Sequence, residues 1–143
     1  MITGDQILCH LLGDYLLQSD WMATEKTKRH LAAWLHALCY SLPFLFLRPS
    51  SRALAVIIVT HALIDRYRLA RYVVWWKNFL APVHYSNVDS RFESVNFPWY
   101  PCRETGYPKG HPTWLTVWLL IIADNTIHLL VNGLALRCLR WKA

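Results

Sequence analysis

The chain has 143 residues, 55% of them hydrophobic and 14% aromatic, with only 17% charged, a mixture too apolar for an ordinary soluble domain of this size. Its formal net charge of +6 comes from basic residues in the gaps between apolar stretches and at the C-terminus, not from a stripe. That distribution excludes a nucleic-acid motif and suits anchoring at anionic headgroups, so membrane lipids are the expected partners.

Long apolar stretches predict an all-α fold: an integral membrane four-helix bundle, one transmembrane domain over residues 1–143. The first helix is expected over 2–18, from Ile2 to Gln18, interrupted by Asp5, Gln6, His10 and Asp14 and therefore too polar to face lipid all round. The start Met-Ile-Thr-Gly-Asp has no basic n-region, so this segment is expected to remain in the mature protein. A polar stretch from Ser19 to His30 carries Trp21, Glu25, Lys26, Lys28 and Arg29.

The second helix is expected over 31–47, with Pro43 as a kink, and Arg48-Pro49-Ser50-Ser51-Arg52 as a turn. The third is expected as one helix over 53–80, apolar as far as Thr60, then basic and aromatic with Arg66, Arg68, Arg71, Tyr72, Trp75, Trp76 and Lys77. Residues 81–112 hold five of the seven prolines and show no clear period, which predicts a long Pro-rich loop. The fourth helix, 113–139, is the plainest span of all.

Tryptophans near the predicted helix ends, among them Trp34 and Trp114, read as an interfacial belt. Counting Lys and Arg gives ten on the side of the two larger loops and five opposite. That asymmetry places the larger basic loops in the cytoplasm of a bacterial inner membrane. Cys9, Cys39, Cys102 and Cys138 contain no C-x-x-C pair, so neither a disulfide framework nor a thiolate zinc site is indicated.

Within these apolar segments stand His10 and Asp14, His61 and Asp65, and Asp124 and His128, each pair four residues apart, with His36 in the remaining segment. A spacing of i, i+4 puts both side chains on one helical face. Ionisable groups at membrane depth are costly and mark functional sites. At 1.5 Å per residue most lie roughly 6 to 22 Å from the proposed cytoplasmic ends, a single band. Imidazole and carboxylate donors suit zinc, with manganese or iron also compatible.

Three ionised carboxylates carry −3, so two divalent ions leave +1, a balance suited to a bound hydroxide or phosphate oxyanion and favouring a two-metal site over one. The plainer reading has each histidine and aspartate bonding one another. His30, His84 and His111 read as solvated. Lys26, Arg66 and Arg68 lie on the cytoplasmic side of the band, where they serve topology or bind a substrate phosphate.

The string His10-Leu-Leu-Gly-Asp14-Tyr-Leu-Leu-Gln18-Ser-Asp20-Trp21-Met-Ala, with Lys26 following, resembles the opening signature of a family of small bacterial and bacteriophage integral membrane proteins of unknown function. His36, His61-x-x-x-Asp65 and Asp124-x-x-x-His128 fall where that family has further His and Asp positions. The same string is remotely similar to the H-x-x-x-D-x-x-Q-P segment of membrane-bound metal-dependent hydrolases, zinc-dependent phospholipases C and zinc nucleases, with Ser19 in place of the proline.

The leading expectation is a membrane-embedded hydrolase of a lipid-linked or nucleotide-like phosphoester. One or two divalent ions are held by His10, Asp14, His36, His61, Asp65, Asp124 and His128. The metals activate water, and one of Asp14, Asp65 and Asp124 acts as base. The alternatives are a non-enzymatic, partner-binding membrane protein with a structural His/Asp or metal network, and a proton or metal-ion conduit. Assembly into a homo-oligomer is left open.

Overall fold

The computed structural model describes residues 2–80, 83–86, 91–94, 98–108 and 111–139. The chain, expected as a single transmembrane domain, divides into two compact units. One comprises residues up to Leu69 and from Asn125 onward; the other runs from Ala70 to Asp124.

In the first unit, helix α1 spans Gly4–Leu11 and begins where the Thr3 side chain accepts a hydrogen bond from the Gln6 N–H. It continues as a π-helical turn over Leu12–Leu16, so the helix expected over 2–18 is regular only in its first half. This wider turn falls between His10 and Asp14 and removes the i, i+4 register that would have aligned them. Gly13 makes the distortion compatible with packing, because a Cβ there would stand 2.6 Å from the Tyr40 carbonyl oxygen.

The polar stretch contains a short helix, α2 (Asp20–Glu25), capped by the Ser19 hydroxyl. Glu25 accepts from Lys28 Nζ, which holds its carboxyl below the ordinary range. Helix α3 (His30–Ser41) buries Ala32, Ala33, His36, Ala37 and Tyr40. The three alanines keep that face low enough for close packing against α4.

Pro43 cannot continue the α-helical ladder, and the chain tightens into a 3-10 turn over Leu42–Leu47 that ends at Arg48 in the left-handed region. Helix α4 (Ser51–Tyr67) starts on the Ser50 hydroxyl, which accepts from the Ala53 N–H at 3.1 Å.

The single helix expected over 53–80 is two helices. Arg68 takes φ +51°, its N–H bonds the Asp65 carbonyl and the Leu69 N–H bonds that of Ile64, a Schellman-type closure. The apolar period continues across this break, which is why the sequence reads as uninterrupted. Residues 125–138 of helix α7 (Thr113–Cys138) complete the first unit, where Gln6 Nε2 donates to the Leu129 carbonyl. Cys9, Tyr40, Phe44, Ile57 and Ala135 form its apolar cluster.

In the second unit, helix α5 (Ala70–Leu80) packs its backbone against Gly106, which has a φ of +82° and where a Cβ would stand 2.4 Å from the Arg71 carbonyl oxygen, leaving no room for a side chain. Part of the expected Pro-rich loop is ordered. Strands β1 (Val83–Ser86) and β2 (Arg91–Ser94) pair antiparallel, Val83 opposite Ser94 and Ser86 opposite Arg91, and α6 spans Trp99–Cys102. The described residues are thus mostly helical, with this two-stranded ribbon beside the helices; four-residue elements are too short to register as periodicity. The remainder of the loop and Arg140, Lys142 at the C-terminus lie outside the described residues.

Among the described residues, two helical stretches are long and apolar enough to cross a membrane, His30–Leu47 and Thr113–Cys138. At 26 residues the latter is about 39 Å long, more than a hydrocarbon core requires. The exterior of the first unit is itself apolar: Phe46 is 89% exposed and Leu16 73%, with Leu8, Leu31, Leu42 and Leu134 also outside.

Gly13 tests the approach of the π turn to α3. Gly13→Ala should cost roughly 2 kcal/mol through overpacking. The check is thermal unfolding of the detergent-solubilised protein, with Gly4→Ala, where a Cβ meets nothing within 4 Å, as the neutral comparison.

Candidate metal centre

The interior of the first unit is polar where its exterior is apolar. His10, Asp14, His36, His61, Asp65 and His128 are all buried, together with Gln6 and Asn132. Asp14 reaches inward from the π turn, His36 from the middle of α3, and His61 and Asp65 from one face of α4. His128 enters from α7.

Asp14, His36, His61 and Asp65 each offer one ligand atom, all within 4.8 Å of one another. His36 Nε2 lies 3.0 Å from His61 Nε2, 3.1 Å from Asp14 Oδ1 and 3.2 Å from Asp65 Oδ2. His61 Nε2 lies 3.3 Å from Asp65 Oδ2 and 3.9 Å from Asp14 Oδ1. A tetrahedron of donors about 2.0 to 2.2 Å from a zinc ion has edges of about 3.3 to 3.6 Å. Five of the six edges are therefore close to what one such ion requires.

Protons alone serve this arrangement badly. An imidazole nitrogen offers one N–H or one lone pair, and His36 Nε2 faces two carboxylates, another imidazole nitrogen and, at 3.2 Å, the Lys26 ammonium. The Nδ1 atoms of His36 and His61 are buried without a hydrogen-bond partner among the described residues. The other oxygen of Asp65 lies 3.3 Å from His128 Nε2, so His128 orients the carboxylate from outside the four-atom group.

Lys26 reaches the same point from the end of α2. Its Nζ is 2.7 Å from Asp65 Oδ2 and 3.7 Å from Asp14 Oδ1, and it donates to Gln18 Oε1 at 2.8 Å. The expected companions diverge: Arg66 Nη1 donates to the Thr27 carbonyl at 2.6 Å, and Arg68 forms the left-handed end of α4.

His10, expected as a ligand, uses both ring nitrogens elsewhere. Asn125 donates through Nδ2 to the Tyr15 hydroxyl, so its Oδ1 accepts from His10 Nε2 at 2.8 Å. His10 Nδ1 then accepts from the Tyr40 hydroxyl at 2.8 Å, and Asn132 Nδ2 donates to the same hydroxyl. Asp124 is half-buried, one helical turn before His128 on α7 and the last residue of the second unit. Of the solvated histidines, His30 and His111 are exposed, whereas the side chain of His84 lies outside the described residues.

The family's profile matches residues 2–89, described as Protein of unknown function (DUF3307). The chain belongs to that family. All four donors and Lys26 lie inside the matched segment, and His128 and Asp124 lie beyond it. No curated protein and no solved structure matches the chain, so the remote likeness to zinc hydrolases has no support there.

Tyr40, Gln18 and Asn132 were not singled out among the candidate residues, yet each follows one of them by four positions: His36, Asp14 and His128. The signal was the same spacing extended to uncharged polar residues. Tyr40 carries the most structure, since its ring stacks on His61 at 3.6 Å and 13° while its hydroxyl joins Asn132 to His10. Tyr40→Phe keeps the stack and strands two buried polar groups, at a cost of about 1 to 3 kcal/mol. Chemical denaturation should register that loss.

Proposed function

We propose that this is a membrane-embedded metal-binding protein in which Asp14, His36, His61 and Asp65 hold one divalent ion. The near-tetrahedral spacing of the four donor atoms carries the reading. Two imidazoles and two carboxylates in that geometry suit zinc, and two ionised aspartates match its charge. The four-atom group contains two carboxylates, so one divalent ion balances its charge.

The bilayer assignment rests on the apolar exterior and polar interior of the first unit and on the two long apolar stretches. In this reading the α1 segment, α3, α4 and α7 form the membrane bundle of a bacterial inner-membrane protein. The basic residues between Lys26 and Arg29 and those from Arg66 to Arg71 face the cytoplasm.

Four protein donors close a tetrahedron, which favours an ion that fixes helix packing. One observation favours hydrolysis of a phosphoester as a second reading: an ammonium, Lys26, stands beside Asp14 and Asp65 and is 17% exposed. A cation there would hold a phosphoryl oxygen, Asp14 or Asp65 would serve as base, and the ion would supply Lewis acidity toward a water.

The test is element-resolved mass spectrometry of the detergent-purified protein. The wild type should carry about one zinc per chain, and His61→Ala or Asp65→Asn should retain less than about a tenth of it, since removal of one of four ligands disrupts the closed site. A wild type that is folded and binds no added zinc, manganese or iron overturns the proposal.

A further inference from the structure

Lys26 belongs to a segment with little apolar anchorage. Helix α2 has no buried residue, and the chain leaves it through a turn at Lys26 to Lys28. Lys26 ties this segment to the site through Asp14, Asp65 and His36, and Arg66 ties it to α4 through the Thr27 carbonyl.

The Lys26 ammonium touches three of the four donor atoms, Asp65 Oδ2 at 2.7 Å, His36 Nε2 at 3.2 Å and Asp14 Oδ1 at 3.7 Å. It therefore caps one face of the tetrahedron. A metal ion inside would stand about 2 Å from the same three atoms. Two cations would then share three donors in an interior where water screens neither. Conversely, with both absent, Asp14 and Asp65 would be adjacent buried carboxylates with no counter-ion beyond neutral imidazoles.

We propose that Lys26 is the built-in counter-cation of the centre and that a divalent ion enters by exchange with it, the ammonium withdrawing from the Asp14, His36 and Asp65 face as the metal binds. This rests on the metal reading above. Withdrawal frees the α2 segment from the site and uncovers the face through which a further ligand could approach the ion. Arg66 keeps its hold on Thr27, so the motion is a swing of the lysine and the short helix about that contact.

Zinc binding by the full-length protein in detergent, measured in competition with a chromophoric chelator, tests the exchange. Lys26→Met, of similar length without charge, should bind zinc at least about tenfold more tightly than the wild type at the same stoichiometry, because no cation has to be expelled. Lys26→Arg keeps the charge and should show no gain.

Hydrogen exchange of the wild type supplies a readout independent of whether Lys26→Met folds: zinc should increase exchange in residues 19–29. Equal or weaker binding by a folded Lys26→Met, or no zinc-dependent change in residues 19–29 of a wild type that binds zinc, overturns the exchange and leaves the metal reading standing. A wild type that binds no metal removes both.

Discussion

Two carboxylates, Asp14 and Asp65, are buried inside a unit whose outer surface is largely apolar, and the rest of the local structure answers to that constraint. An ionised carboxylate taken out of water is tolerated only beside a cation or a dense set of donors. Here both face the Lys26 ammonium and the imidazoles of His36 and His61, and Asp65 also meets His128. Each of those groups comes from a different part of the chain: the end of α2, α3, α4 and α7. The charge thus ties together segments that lipid-like surfaces alone would let slide past one another.

The backbone departs from regularity at the places this convergence needs. The π turn at Leu12–Leu16 sends Asp14 to His36 while His10, one turn earlier, goes to Tyr40 and Asn125. Single π turns cluster at functional sites because they re-aim one side chain without ending the helix. Gly13 lets that turn touch the Tyr40 backbone, and alanines on α3 bring α3 and α4 close enough for two imidazole nitrogens to meet at 3.0 Å. Arg68 closes α4 three residues after Asp65, so this carboxylate sits in the last turn of its helix.

Much of this was legible in the sequence, and the failures have physical causes. His36 of α3 meets His61 and Asp65 of α4 because helical spacing holds there: His61 and Asp65 share a face as i, i+4 predicts. The same rule misled at His10 and Asp14, since a π turn leaves no trace in apolar periodicity. The break at Arg68 was hidden for a related reason: a left-handed arginine in place of glycine gives no sequence signal. Lys26 is one of several basic residues between the first two apolar stretches, but its reach into the carboxylates depends on the turn after α2, a tertiary fact. Tyr40 lies outside the pattern of histidines and aspartates, although it follows His36 by one turn.

Charge arithmetic separates the possible contents of the centre. With the imidazoles neutral, Asp14, Asp65 and Lys26 sum to −1, and replacing the ammonium by one divalent ion brings the same four donors to zero. Keeping both cations gives +1, and a second divalent ion gives more, in surroundings that resist any net charge. The expectation of two ions came from counting Asp124 as a third carboxylate in the same band; the group formed by Asp14, His36, His61 and Asp65 holds two. Neutrality therefore favours one divalent ion with the lysine withdrawn. A lysine already poised at the rim lets an apolar unit keep its carboxylates within one charge of neutrality before such an ion arrives and neutral after it.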